Sequence, residues 1–344
     1  MTDKDKFLAE IPRQSIIKVA ANYNFLKWAE KYVKEVILAA GSVDTKKAKL
    51  NDLKKFVFFF VATFKGDIRL WRPVATEAFR DELLKQEYKP ATINRILATV
   101  KHFAGFCFCS SKLKELPSPI RGVANVKSEN LRPKALDEKT IAKLRNTAVN
   151  MIFTAEGKVG QLREKQMPLT LYKTHRDYVV FEMLLCTGLR VSEVCNIKLD
   201  NIDRTRERTW WLVNLKTKAQ RIRDLPIPTR FVSVLEKYLE IRQGLVDRLG
   251  VDSGYLFISK SGNTLSRRSV EGLFKKLERL YFADYNESIR IYPHLLRHTF
   301  ALNKLKSLNG DLPQLSRLLG HVGLGHVQRY TVPSDMDMEN AMDG

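Results

Sequence analysis

Apolar positions recur at three- and four-residue steps through most of the first hundred residues, the period of helices with one buried face. SIIKVAANYNFLKWAEKYVKEVILAA (15–40) predicts one helix, and DTKKAKLNDLKKFVFFFVATF (44–64) predicts a second with Asp44 as its N-cap. VATEAFRDELLKQ (74–86) predicts a third. ATINRILATVKHFAGFCF predicts a fourth, entered through Pro90. Nothing in residues 14–113 alternates as a strand does. ELPSPIRGVANVKSENLRPK (115–134) then breaks the period with three prolines and reads as a linker. Beyond it, LDEKTIAKLRNTAVNMI and HRDYVVFEMLLCTG read as helices, the second stopping at Gly188, with residues 154–174 between them as a loop or small insertion. VSEVCNI opens another helix. The β signal is confined to RTWWLVNL (208–215) and RIRDLPIP (221–228), which flank KTKAQ as a hairpin, and to YLFISKSGNTL (255–265), a third strand with a Gly-Asn turn. SRRSVEGLFKKLERLY and the chain after 293 return to helix. The expected fold is mainly α with a small antiparallel β-sheet. It comprises a helical domain (1–115), a linker (116–134) and a mixed α/β domain (135–344).

Charge adds a partner to this picture. The 344 residues carry a net charge of +21, and 44% hydrophobic content leaves enough apolar surface for real cores. Such an excess favours a polyanion, and nucleic acid fits it best. Residues 1–134 carry 26 Lys/Arg against 14 Asp/Glu, and residues 135–344 carry 33 against 24. Both halves are basic, which points to two bodies that both touch the ligand. The four cysteines form no CxxC pair and no zinc-finger spacing with histidine, so no metal site is expected. Cys107 and Cys109 flank Phe108 in an apolar run and read as buried free thiols, which suits a reducing compartment. MTDKDKFLAE has no apolar signal core, and VFFFVATF (57–64) is too short to span a bilayer, so a cytoplasmic, DNA-associated location is expected.

Four short motifs carry the chemistry. TGLRVSE centres on Arg190, HLLRH covers 294–298, LLGH covers 318–321, and Tyr330 follows His321 by nine residues. Cleaving a phosphodiester without metal puts extra negative charge on the nonbridging oxygens, and paired guanidiniums meet it with fixed bidentate donors. Arg190 and Arg297 fit that role; Arg190 also falls near the start of a predicted helix, where free N–H groups favour an anion. His294 and Arg297 are spaced i, i+3 and share a helical face. His298 lies about 100° around the helix from Arg297 and reads as structural. A tyrosine oxygen can form a phosphodiester with a cleaved strand, and Tyr330 is the candidate. The leaving 5′ oxygen needs an acid, for which Lys218 in the hairpin turn, or Lys216 beside it, is placed.

With these residues the chain resembles the tyrosine recombinase (phage integrase) family over essentially its whole length. TGLRVSE resembles that family's first arginine box, and HLLRHTFA with LLGH and Tyr330 its second. The order Arg190, Lys218, His294, Arg297, His321, Tyr330 matches the family's order. The resemblance implies that Arg190 and Arg297 clamp the phosphate, that His294 and His321 bond to it and shuttle protons, and that Tyr330 attacks. It places Lys218, eight residues before Pro226, at the family's β-hairpin lysine, and Glu193 at a supporting acidic position. It implies a helical core-binding domain and a catalytic domain of the tyrosine recombinase and type IB topoisomerase fold, closing as a clamp on double-stranded DNA. The implied reaction is site-specific strand exchange (integration, excision or resolution) through a 3′-phosphotyrosine, with no cofactor and no metal. Four protomers would act on two sites.

About fourteen residues precede the first predicted helix, too few for an arm-binding domain, so a simple-site, Xer/Cre-like type is expected. The fourteen residues after Tyr330 are acidic and polar, which puts a strong tail-mediated contact between protomers in question. Two alternatives use the same residues differently: a type IB topoisomerase that religates the same strand, and a basic DNA-binding regulator without catalysis.

Overall fold

The structure, a computed structural model, describes residues 23–39, 41–110, 113–127, 134–157, 167–217, 221–320, 325, 327–331 and 342. The chain divides into two compact units, Met1–Asn130 and Leu131–Gly344.

In the first unit, Asn24 caps α1 (Phe25–Tyr32) by accepting the backbone N–H groups of Leu26 and Lys27, and a π turn, Val33–Ile37, continues the helix. The helix expected from residue 15 thus has its described part from Phe25. Ser42, not Asp44, caps α2 (Val43–Phe64), its hydroxyl accepting the Thr45 N–H. Asp44 stands inside the first turn, where its charge faces the positive helix end. Prolines open both α3 (Pro73–Lys85) and α4 (Pro90–Phe108). The inner faces of these helices pool their aromatic rings. Phe25 stacks on Phe60 with centroids 4.2 Å apart and meets Trp71 and Phe103 edge-on.

Cys107 is buried in that core, whereas Cys109, at the end of α4, is exposed. The pair expected to be buried together is split because residues two apart point to different sides of a helix. Residues 113–127, inside the stretch that reads as a linker, are hydrogen-bonded to this unit. The Thr76 hydroxyl donates to Pro119 O at 2.8 Å, and Asn94 exchanges two bonds with the backbone of Val126.

The second unit is built around α6 (Met167–Thr187), which packs against α5 (Glu138–Gly157), α8 (Thr229–Leu249) and α10 (Pro293–Ser307). The remaining helices are α7 (Val191–Cys195), α9 (Arg267–Tyr285) and α11 (Leu312–Leu319), with a 3₁₀ turn at Gln328–Tyr330. Most of Val179–Leu189 is buried, as a central helix requires. A three-stranded antiparallel sheet, β1 (Ile202–Asp203), β2 (Trp211–Lys216) and β3 (Ile222–Pro226), covers one side in that order. The expected hairpin is present, with Leu212 opposite Leu225 and Lys216 opposite Ile222.

Two expectations need correction, and one helix lay outside them. The 154–174 loop is too long: α5 runs to Gly157 and α6 begins at Met167. Tyr172 is the reason. It is fully buried, and its hydroxyl meets that of Tyr238 and both backbone groups of Ile258. Next, α8 was not anticipated, although FVSVLEKYLEIRQGLV carries the helical period. Finally, 255–265 is not a ladder strand. It makes isolated bridges, Lys198 with Tyr255 and Ile258 with Thr264, and β1 supplies the third strand instead. Leu256, Phe257 and Ile258 are consecutively buried, so the stretch does not alternate. Arg242 takes the carbonyls of Tyr255 and Leu256 that a neighbouring strand would otherwise use. Among the described residues no helix is long and apolar enough to cross a membrane.

Candidate active site

The TGLR sequence makes a helix stop followed at once by a helix start. α6 ends at Thr187, Gly188 takes a left-handed φ of 62°, and Arg190 becomes the N-cap of α7. The Glu193 carboxylate accepts the Arg190 backbone N–H at 2.8 Å and also its side-chain Nη1 at 2.8 Å. The arginine is thereby held at both ends by one residue, three positions along. Gly188 is further constrained by Phe300 of α10: an added Cβ would stand 2.3 Å from the Phe300 Cδ1.

The next residues come from α10. Pro293 occupies its first turn, and Tyr292 before it makes no side-chain cap. His294 is exposed, one position into that turn. Arg297, one turn further, is buried at 4% exposure. Its Nη1 donates to Gly188 O at 2.5 Å and its Nη2 to Leu319 O at 2.7 Å. A guanidinium carries its N–H donors in one plane, and these two bonds fix the orientation of that plane.

Arg223 on β3 completes the set. Its Nη2 donates to Glu193 Oε2 at 2.9 Å, and its Nη1 donates to Leu318 O. Arg223 and Arg297 thus satisfy the last carbonyls of α11, which a helix C-terminus leaves without internal partners. Gly320, with φ 63°, ends that helix. Two guanidiniums, of Arg190 and Arg223, therefore bond one carboxylate, and that of Arg297 lies close enough to feel its charge. Burial, then the positive charge of Arg190, pushes the Arg297 pKa down to about 9. Burial also depresses the Arg223 pKa, against the pull of Glu193. A second negative group would relieve both.

Tyr330 lies in its 3₁₀ turn at 3% exposure, packed with Phe300, Ala301, Leu305, Leu315, Leu319 and Val327. Its hydroxyl is 2.8 Å from Nδ1 of His298, one residue beyond Arg297 on α10.

Comparison with known proteins gives this arrangement a family. The profile of the phage integrase family matches residues 162–336, half of the chain, and the match contains Arg190, Glu193, Arg223, the α10 residues and Tyr330. The chain belongs to the phage integrase family. Curated relatives are named tyrosine recombinase XerC. That of Herpetosiphon aurantiacus is 30% identical over 285 residues, covering 82% of each chain. That of Thermodesulfovibrio yellowstonii is 29% identical over 292 residues, covering 84% of this chain and 86% of the relative. Among solved structures, XerH site-specific recombinase bound to palindromic difH substrate, a post-cleavage complex, aligns with 98% of this chain and 92% of its own. Its TM-score is 0.68 at 18% identity, a likeness of fold. The protein is accordingly a tyrosine-type site-specific recombinase.

In this integrase-family unit the structure brings Arg190, Glu193 and Arg297 together, and it ties Tyr330 to the helix that carries His294 and Arg297. Lys218 and His321 lie outside the described residues. Lys216 ends β2, exposed, beside the Thr217–Arg221 bond that closes the described part of the hairpin. Two residues that the structure bonds to this set were not picked out from sequence. His298 was set aside because its angle was measured from Arg297. Measured from His294, four residues back, it is only about 40° around the helix. Arg223 had a signal in strand alternation: it shares its side of β3 with buried Leu225, while Ile222 points outward at 62% exposure.

The Gly188 turn gives a first prediction. Gly188→Ala is expected to destabilise the unit by about 2–4 kcal/mol, combining the left-handed backbone penalty with overpacking against Phe300. It should also slow strand cleavage by displacing Arg190. Thermal unfolding and a cleavage assay check both, and an unchanged unfolding midpoint would refute the steric reading.

Proposed function

We propose that Arg190, Arg297 and Arg223 form the seat of the scissile phosphate and that Tyr330 is the nucleophile. The observation that carries this is the grouping of three guanidiniums, two of them bonded to the Glu193 carboxylate and the third, of Arg297, close enough to feel its charge, with a tyrosine hydroxyl bonded to the helix that carries Arg297. Arg190 and Arg297 bind the nonbridging oxygens, while Arg223 and Glu193 hold the geometry. Preorganised positive charge of this kind stabilises the transition state because it needs no rearrangement when charge develops. His294 and His321 bond to the phosphate. Lys218, with Lys216 as its near neighbour, protonates the leaving 5′ oxygen.

The attack opens one strand and stores the bond as a 3′-phosphotyrosine. The free 5′-hydroxyl of a partner strand then attacks that link, so neither metal nor nucleotide is consumed. On this reading the helical unit binds the core of the DNA site, and four protomers on two sites exchange strands in pairs. The integration, excision or resolution that results takes place in the cytoplasm, on nucleoid or mobile-element DNA. The +21 charge supplies most of the affinity through released counterions.

The test uses a nicked suicide duplex whose site the protein has itself selected from a randomised DNA pool. A covalent protein–DNA adduct is expected on denaturing gels, with the same yield in EDTA. No adduct on the selected site refutes the reading, and a strict requirement for divalent metal refutes the chemistry.

A further inference from the structure

We propose that His298 is the base that takes the Tyr330 proton as the tyrosine attacks. The inference rests on Tyr330 being the nucleophile and adds the step by which that nucleophile is activated. A phenol titrates near 10, so at neutral pH the attacking hydroxyl still carries its proton and needs a base in hydrogen-bond reach. At 3% exposure the Tyr330 side chain has little water to serve. His298 Nδ1 stands 2.8 Å from Tyr330 Oη, with ring centroids 5.6 Å apart and planes inclined by 55°.

Among the described residues, neighbouring groups do not compete well for this role. Both oxygens of Glu193 are taken, Oε1 by Arg190 and Oε2 by the Arg190 backbone and Arg223. The guanidiniums have no acceptor. The ring of His294 is 6.5 Å from that of His298 and exposed, placed for phosphate rather than phenol. With its own proton on Nε2, neutral His298 presents Nδ1 as the acceptor for the tyrosine hydroxyl.

The step balances. Tyr330 Oη forms its bond to phosphorus, its proton passes to Nδ1, and His298 becomes imidazolium. The bond from phosphorus to the 5′ oxygen breaks, and that oxygen takes its proton from the separate acid. On rejoining, the incoming 5′-hydroxyl gives its proton back to that group, and His298 returns its own to the departing tyrosine oxygen. One histidine thus serves cleavage as base and rejoining as acid.

The test compares His298→Asn and the unsubstituted protein, each with tyrosine or 3,5-difluorotyrosine at position 330. The fluorinated phenol ionises more readily and depends less on a base. With tyrosine, His298→Asn is expected to slow adduct formation by about 10²–10³-fold while leaving DNA binding intact. With difluorotyrosine the penalty should fall below about tenfold, as a weaker demand for base requires. Equal penalties for the two phenols would show that His298 only positions the ring, and cleavage at the unsubstituted rate would show no role; either overturns the proposal.

A second measurement needs no substitution. In the ¹⁵N-histidine-labelled protein, Nδ1 of His298 should be unprotonated and Nε2 protonated, and the reverse tautomer overturns the proposal. Absence of any adduct with the unsubstituted protein, or an adduct that survives Tyr330→Phe, would instead sink the nucleophile assignment.

Discussion

Tyr330→Phe is expected to give a protein that folds, binds its DNA site and forms no covalent adduct at any time. The ring sits among Phe300, Ala301, Leu305, Leu315, Leu319 and Val327, so a phenylalanine fills the same space and leaves no cavity. The loss includes the hydroxyl bond to His298, worth about 1 kcal/mol net. The half-buried histidine can turn to water in its place. The unfolding midpoint should therefore stay close to that of the unsubstituted protein, while the atom proposed to attack phosphorus is gone. An adduct in this variant would move the nucleophile elsewhere. A collapse in DNA binding would mean that Tyr330 is structural.

Arg297→Lys is expected to do the opposite to stability and nearly as much to catalysis. The lysine keeps a positive charge on α10 but not the planar fork. Arg297 reaches Gly188 O with one nitrogen and Leu319 O with another, and these carbonyls lie on different elements. An ammonium cannot serve both, so one buried carbonyl is orphaned at a cost of about 1–3 kcal/mol. On the proposed role of Arg297 at the phosphate, the same change is expected to slow adduct formation by about 10²–10³-fold. DNA affinity should change little, because it comes from charge spread over both halves. Cleavage within about fivefold of the unsubstituted rate, against that expected loss, would show that Arg297 only ties α10 to the ends of α6 and α11.

Much of this site was legible in the sequence because its parts are local. TGLR announces a helix stop, a left-handed glycine and a helix start within four residues, and each follows from backbone chemistry. Glu193 holds Arg190 from three positions away, which is capping geometry. HLLRH puts His294 and Arg297 on one face by helical period alone. The β2–β3 hairpin was readable from alternation. What failed was of another kind. Arg223 reaches Glu193 across 30 residues, and Arg297 reaches Gly188 across 109. The expected third strand at 255–265 failed because Tyr172 and Arg242, distant in the chain, took its backbone groups.

The sequence by itself determined which residue types stand on which faces: helices with apolar stripes, a hairpin with a basic turn, two arginines and a late tyrosine in family order, and a charge fit for DNA. Those features depend on the periods of helix and strand, which act over a few residues. Only the tertiary structure decided that Arg223 joins Arg297 at the end of α11, that one carboxylate bonds both Arg190 and Arg223, and that His298 meets the Tyr330 hydroxyl. Those choices depend on how α6, α7, α10, α11 and β3 pack. A helical period sets the direction of a side chain but not the element it will find there.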